Sequence, residues 1–295
     1  MRVTDRLKYA ILNKNLARIK QNIDVAQNKI ASGKRIIAPS DDPVAASSGI
    51  GLEAEKNMNS QYTRNLEKLK TLGGFYDTSV TGIHELLTKA KEIAITQASS
   101  TMDATTRRSS AEEIKGIIEQ LVTIGNTKVG SSYIFGGEKA GEAPFTLDGD
   151  YNVTFNGTED VSSIYIDKGT KEAAGISGYR VFISDSNIFD GLKKLKDALE
   201  ANDASGIGET LDDLEAALSK TQANISHVGT YVSKIENYIE YKDVRNLDID
   251  ESLSQMMDVD IAQVVTEFNA LSNAYEAMLY SMAKIQNLSV LNYLT

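Results

Sequence analysis

The feature that most constrains this chain is a row of apolar residues spaced alternately three and four positions apart, which recurs along most of its length. This spacing places the apolar side chains on one narrow face of an α-helix, as in coiled coils. The 295 residues include only three prolines, so helices can run far without interruption. The first row comprises Tyr9, Leu12, Leu16, Ile19, Ile23, Ala26 and Ile30. We therefore expect the chain to begin with a long helix.

The end of this helix and the start of the next are marked by residue type. Gly33 suits the left-handed position that follows a helix, and Pro39 cannot easily continue one. Asp42 followed by Pro43 is typical of a new helix start. The aspartate can cap free amides, and proline at the first helical position loses no hydrogen bond.

A second apolar row runs from Tyr62 to Ala94 and has a weak point at Gly73-Gly74. The polar stretch from Ser99 to Arg108 predicts a connection to a third helix, whose apolar face begins at Ile114. Two helices are therefore expected in this part of the chain.

Between residues 131 and 187 the apolar period changes to two, which indicates strands. Asp148-Gly149 between two such runs predicts a hairpin, and Tyr179 to Ser184 has the composition of a further strand. We expect a small β-rich insert.

Helical spacing returns at Ile188 and continues to Ile239, with a break expected at residues 246–248. A last row then runs almost to residue 295. With helices on both sides of the insert, the sequence predicts a mainly α fold: a long antiparallel helical coiled-coil rod made by the N- and C-terminal halves, with a small inserted β-rich domain. The expected parts are a terminal coiled-coil assembly region (1–42 plus 255–295), a helical rod domain (43–130 plus 188–254) and a β-rich outer insert (131–187).

Composition argues against several classes of partner. The net charge of −10 provides no field that would gather nucleic acid, and no apolar run is long enough to insert into a membrane. The absence of cysteine excludes disulfides and thiolate chemistry. No nucleotide-binding or hydrolase motif occurs, so we expect no enzyme activity and no cofactor.

Two patterns with possible chemistry have simpler interpretations. His84 and His227 lie within heptad rows without a neighbouring motif, and we interpret them as ordinary helix-surface residues. The spacing of Asp148, Asp150 and Asn152 resembles a calcium loop, but Val153 stands where such a loop needs glycine. We interpret the pattern as a hairpin turn and expect no catalytic residue and no metal site.

The terminal rows are the candidate functional residues, because a helix pair can cover only one stripe on each helix. Val265 and Leu279, for example, lie outside the seam. The predicted assembly residues are Leu12, Leu16, Ile19, Ile23, Ile30, Ile261, Val264, Phe268, Leu271, Tyr275, Met278, Met282 and Ile285. Apolar heptad rows are also typical of an intramolecular core, so both interpretations stay open here.

Two segments carry a resemblance to a known family. SGKRIIAPSDDPVAAS at residues 32–47, with the heptad helix before it, resembles the N-terminal region of bacterial flagellins. Residues 258–294 resemble the other end of that family, whereas the resemblance is weak in the β-rich insert. The start MRVT, the string PSDDP and SSYIFGGEKAGEAPF at residues 131–145 favour a junction subunit over a filament flagellin.

The resemblance implies a structural adaptor that joins the hook to the flagellin filament and polymerises through its terminal helices. It implies contacts with copies of itself, with hook-associated protein 1 and with flagellin, and an export chaperone. The protein would be extracellular and exported by the flagellar type III apparatus without a cleaved signal peptide, which agrees with an N-terminus lacking an apolar signal region. The alternatives are a filament subunit and, from a different class, a cytoplasmic helical binding module or an unrecognised hydrolase.

Overall fold

The computed structural model describes the backbone of residues 3–294 and the side chains of residues 7–284. The helices are α1 (Val3–Ser32), α2 (Pro43–Gln97), α3 (Ala104–Gly125), α4 (Ile188–Glu200), α5 (Ala204–Met257) and α6 (Ile261–Leu294). The strands are β1 (Lys128–Val129), β2 (Ser132–Tyr133), β3 (Phe145–Leu147), β4 (Val153–Phe155), β5 (Ser163–Asp167) and β6 (Thr170–Ala173). The prediction of a mainly helical chain with a small β-rich part is confirmed.

The predicted boundary between the first two helices is also confirmed. The helix α1 ends at Ser32, and Gly33 follows with φ of 68°, a conformation that glycine adopts without strain. The Oδ1 atom of Asp42 accepts a hydrogen bond of 3.0 Å from the amide of Ala45, and α2 begins at Pro43.

The predicted break at residues 246–248 is wrong, because α5 continues through them to Met257. Ile249 is buried there, and Arg245 and Asp250 form ion pairs with Glu55 and Lys56 of α2. Asparagine and aspartate are poor helix formers, but tertiary contacts override so weak a preference.

Helix α3 begins inside the stretch that the sequence predicts as a connection. The side chain of Asp103 caps it by accepting a hydrogen bond of 2.7 Å from the amide of Thr106. This hydrogen bond from the backbone of Thr106 is the main cause that holds the pKa of Asp103 below its ordinary value. The cap and the buried side chain of Arg107 together favour helix in residues 104–108.

The predicted strand at Tyr179 to Ser184 is also wrong, since Tyr179–Ile183 forms a π-helical turn. Val181 and Phe182 are both buried in the same core. A strand points consecutive side chains to opposite faces, so it could not bury both against one core.

The strands form three antiparallel hairpins, β1–β2, β3–β4 and β5–β6. The predicted hairpin at Asp148-Gly149 is confirmed, with Phe145 paired to Phe155 and Leu147 to Val153.

The backbone divides into two compact units, residues 1–58 with 244–295, and residues 59–243. Within the larger unit α2 and α5 run antiparallel, since Lys70 pairs with Glu236 and Lys91, further along α2, pairs with the earlier residue Glu215. The three-part division expected from the sequence stays a prediction.

The main core of the larger unit lies among α2, α3, α4, α5 and the β3–β4 hairpin. Four fully buried phenylalanines form its centre, with ring centroids 4.8 to 5.5 Å apart in successive contacts. They are Phe135, Phe145, Phe182 and Phe189. Aromatic rings at these separations add to the stabilisation from burial.

Candidate assembly surface on the terminal helices

The smaller unit brings the two terminal helices together. The amide of Arg35 donates to the carbonyl of Met257 at 2.7 Å, and the amide of Val259 donates to the carbonyl of Gly33 at 3.0 Å. The end of α1 therefore lies beside the start of α6. Since α1 and α6 also pack along each other, they run antiparallel.

An ion pair reinforces this contact between the chain ends. The Nζ atom of Lys34 lies 3.0 Å from Oδ1 of Asp258, and this hydrogen bond is the main cause that lowers the pKa of Asp258. Both side chains are nearly half exposed, so solvent screening makes the contribution of the pair small. The backbone hydrogen bonds are the stronger connection.

The predicted assembly residues lie along this helix pair but are incompletely covered by it. Val264 is buried, at 6% exposure, whereas Ile261 is 45% exposed. The side chain of Ile285 lies outside the described residues. The others are only half-buried: Leu12, Leu16, Ile19, Ile23, Ile30, Phe268, Leu271, Tyr275, Met278 and Met282. One helix partner thus leaves much of each row in water.

A second apolar face on the same helices has no cover within the described chain. On α1 it includes Ile11 and Val25, and on α6 it includes Val265 and Leu279, with exposures between 37% and 52%. Isolated exposed apolar residues are normal on proteins, but a half-buried seam with further exposed apolar residues beside it on both helices is not.

The exposed apolar surface extends to other parts of the smaller unit. At the start of α2 it includes Val44 and Ile50, and at the end of α5 it includes Val244 and Leu247, all more than half exposed. These four residues fall outside the two terminal rows, so the heptad pattern does not identify them. All but four of the large hydrophobic residues that are exposed among the described side chains belong to this unit.

The pattern that resembles a calcium loop in the sequence forms a turn in the described structure. No group of three or more His, Asp or Glu that could hold a metal occurs among the described residues. In the β3–β4 turn, Oδ1 of Asp148 accepts hydrogen bonds from the amides of Asp150 and Asn152 at 2.9 and 2.8 Å. This carboxylate is therefore engaged in holding the turn, as the hairpin interpretation requires.

The two histidines lie on different helices. His84 of α2 is half-buried, with an Nδ1 atom that has no hydrogen-bond partner, and His227 lies on α5.

No described helix combines the length and apolar character that crossing a membrane requires.

Comparison with known proteins covers both ends of the chain. The profile of the bacterial flagellin N-terminal helical region matches residues 4–140, and that of the bacterial flagellin C-terminal helical region matches residues 211–294. Together these matches include most of the chain.

Among curated proteins, flagellar hook-associated protein 3 of Escherichia coli K12 is 25% identical, over 89% of this chain and 90% of that protein. Flagellin of Bacillus subtilis 168 is also 25% identical, over 92% of this chain and 93% of that protein. A putative flagellar hook-associated protein from Vibrio parahaemolyticus has a similar fold, with a TM-score of 0.68 at 18% identity, covering 74% of this chain and 100% of that one.

Proposed function

The chain belongs to the bacterial flagellin family, and we propose that within it the chain is a structural adaptor subunit, not an enzyme, that joins the hook to the flagellin filament. The similarity to hook-associated protein 3 of Escherichia coli over nine-tenths of both chains supports this role. So do the start MRVT, the string PSDDP at 39–43 and the segment at 131–145, which favoured a junction subunit.

The observation that carries the proposal is the incomplete burial of α1 and α6. Their seam is half-buried and their second face is exposed, so further helices are needed to cover them. Each large apolar side chain that becomes fully buried contributes about 1.5–3 kcal/mol before entropy is subtracted. Copies of the same chain supply the matching surface, and the predicted assembly residues act in this contact.

The chain assembles into the flagellum with itself and with other flagellar components, outside the cell. In the finer proposal, hook-associated protein 1 contacts one side of a layer of these subunits, and flagellin contacts the other. An export chaperone would cover the apolar terminal helices before secretion through the type III apparatus, without a cleaved signal.

Reconstitution on isolated hooks tests the adaptor role. Hooks that carry hook-associated protein 1 receive this protein, then flagellin, and filament length is measured by electron microscopy. Growth that requires this protein is the expected result. Equal growth of flagellin without it would contradict the proposal.

A variant of the exposed face tests the assembly surface. Leu279→Gln removes an apolar side chain that is 43% exposed in the single chain, so folding should be preserved while assembly on hooks weakens at least about tenfold. Glu276→Gln, on the same helix and exposed, is the matched control and should assemble normally. Normal assembly of the Leu279 variant would remove this face from the interface.

A filament subunit is the second candidate, favoured by the similarity to Bacillus subtilis flagellin over most of both chains. The two roles differ in one result, because a filament subunit lengthens filaments by itself when added to hook ends or filament seeds. An adaptor forms only a short layer. A cytoplasmic binding module would instead be found only inside cells after fractionation.

A further inference from the structure

The β5–β6 hairpin of the larger unit has a small hydrophobic cluster of its own. The buried members of this cluster are Leu66 and Leu69 of α2, Ile166 of β5 and Ile235 of α5. They are separate from the aromatic core around Phe145. The hairpin therefore packs on the sides of two helices and takes little stabilisation from the main core.

Polar side chains fix each strand of the hairpin to a different helix. Nδ2 of Asn65 on α2 donates to the carbonyl of Tyr165 in β5 at 2.8 Å. The hydroxyl of Tyr231 on α5 donates to the carbonyl of Ala173 in β6 at 2.9 Å. The hairpin thus lies across both helices, with β5 fixed to α2 and β6 fixed to α5.

Lys242 connects all three elements from a buried position. Its side chain is only 3% exposed, and its Nζ atom lies 2.8 Å from Oδ1 of Asp167 at the end of β5. Nζ also donates to Oδ1 of Asn59 on α2 at 3.3 Å and lies within 5.5 Å of the ring centroids of Tyr62 and Tyr241. A buried ammonium is tolerated only with such partners, and Asp167, its one charged partner among the described side chains, is supplied by the hairpin.

The hairpin has a defined base, and the chain enters the main core directly after it. The amide of Ala174 donates to the carbonyl of Ser162 at 2.8 Å, which closes the base. Gly175 follows with φ of 146°, a value that other residues rarely adopt, and Ile176 is already part of the main core. Gly175 is packed against the ring of Tyr76, where an added Cβ atom would overlap, so the hairpin leaves the main core at a fixed point.

We propose that residues 163–173 form a releasable strap across α2 and α5, latched by Lys242, that opens as one unit while the main core stays folded. Small clusters with few buried apolar residues open more easily than a main core, and they do so cooperatively. Opening uncovers the faces of Leu66, Leu69 and Ile235 on the two helices.

Hydrogen exchange on the full chain, followed by mass spectrometry, tests the strap. In the unaltered protein, residues 163–173 should exchange together and faster than α3. In Lys242→Met the side-chain volume is kept and Asp167, being partly exposed, remains hydrated. Exchange in the strap should then rise roughly tenfold to a hundredfold, with α3 and α4 unchanged.

Two further variants separate the latch from ordinary ion pairing. Lys70→Met removes the pair of Lys70 with Glu236 between the same two helices, where both side chains are about half exposed, and should change exchange in the strap less than about threefold. Asp167→Asn should reproduce the direction of Lys242→Met. If hydrogen exchange in the strap is unchanged in Lys242→Met, Lys242 does not act as a latch. If exchange in α3 and α4 accelerates as much as exchange in the strap, the strap does not open separately from the core.

Discussion

At the scale of single residues, the adjacent glycines Gly73 and Gly74 in α2 have opposite surroundings. A Cβ atom on Gly73 would lie 2.7 Å from Cγ2 of Val232 on α5, whereas one on Gly74 would have no neighbour within 4 Å. Gly73 therefore lies where α2 and α5 approach each other closely, and its lack of a side chain makes this approach possible. Only the structure distinguishes the two positions, because the sequence shows two identical residues.

We predict opposite effects of alanine at these two glycines. Gly73→Ala should lower the free energy of unfolding by about 1–3 kcal/mol, since the branched Val232 side chain cannot move aside easily. Gly74→Ala should raise it by about 0.5–1 kcal/mol, because alanine is the better helix former. Urea unfolding measures both, and a loss of stability at Gly74 would contradict the assignment.

Tyr76 makes stability depend on alkaline pH. Its hydroxyl donates to the carbonyl of Ile134 at 2.6 Å, and burial raises its pKa to about 12 from an ordinary value of 10. Because the folded form retains the proton that the unfolded form loses, this contribution is complete below pH 10 and is lost as the pH rises toward 12.

We therefore predict that the free energy of unfolding falls by about 1–2 kcal/mol more in the unaltered protein than in Tyr76→Phe between pH 10 and 12. Urea unfolding at several pH values measures the difference. Tyr280→Phe is the control, since Tyr280 is 77% exposed, and its profile should match that of the unaltered protein. Parallel profiles for all three proteins would show that Tyr76 does not retain its proton.

At the scale of helices and turns, Arg107 fixes two connections at once. Its guanidinium donates to the carbonyl of Gln97, the last residue of α2, at 3.1 Å and to that of Ser99 just after it at 2.8 Å. It also donates to Oδ1 of Asn202 in the turn between α4 and α5, at 2.6 Å, and it is only 4% exposed. The end of α2 and the α4–α5 turn are thus held together by one side chain.

Arg107→Met should lower the free energy of unfolding by about 3 kcal/mol, because it leaves several carbonyl groups without a donor. The neighbouring Arg108 is exposed, and Arg108→Met should change stability by less than about 0.5 kcal/mol. Thermal and urea unfolding compare the two variants. Similar losses from both would mean that charge alone, and not the hydrogen bonds of Arg107, matters.

The terminal helices should be the least protected helices of the free chain. We expect amides in α1 and α6 to exchange faster than those in α3, since the terminal seam is only half-buried. Addition of hook-associated protein 1 and flagellin should slow them. Full protection in the free chain would instead mean that these rows are already a complete core.

At the scale of the whole molecule, the two units differ in how their apolar residues are covered. The larger unit has its own aromatic core, whereas the smaller one exposes apolar rows on several helices. A subunit of this kind gains stability when neighbours cover those rows. The role proposed from the family thus agrees with the distribution of burial along the chain.

Cells that lack this protein should therefore carry hooks without filaments and should release flagellin into the medium, because the filament has no layer on which to grow. Electron microscopy and analysis of the culture medium measure both results. Restoration by the unaltered protein, but not by Leu279→Gln, is the matched comparison. Normal filaments without the protein would exclude the adaptor role.

The sequence by itself determined the helices, their period and several of their ends. Apolar spacing, Gly33 and the Asp42-Pro43 pair act within a few positions of the chain, and so does the hairpin signal at Asp148. The resemblance to flagellins likewise rests on short local strings near both ends. Such signals can be interpreted without knowing what the segment packs against.

Tertiary structure decided which residues are covered and where local preference is overridden. Packing against α2 keeps α5 helical through residues 246–248, and two adjacent buried side chains turn Tyr179–Ile183 into a π-helical turn. The burial of Lys242 depends on Asp167, 75 positions earlier in the chain. Burial is set by partners that are distant in sequence. The degree to which each terminal residue is covered, and the packing of the β5–β6 hairpin on α2 and α5, therefore could not be predicted from the sequence.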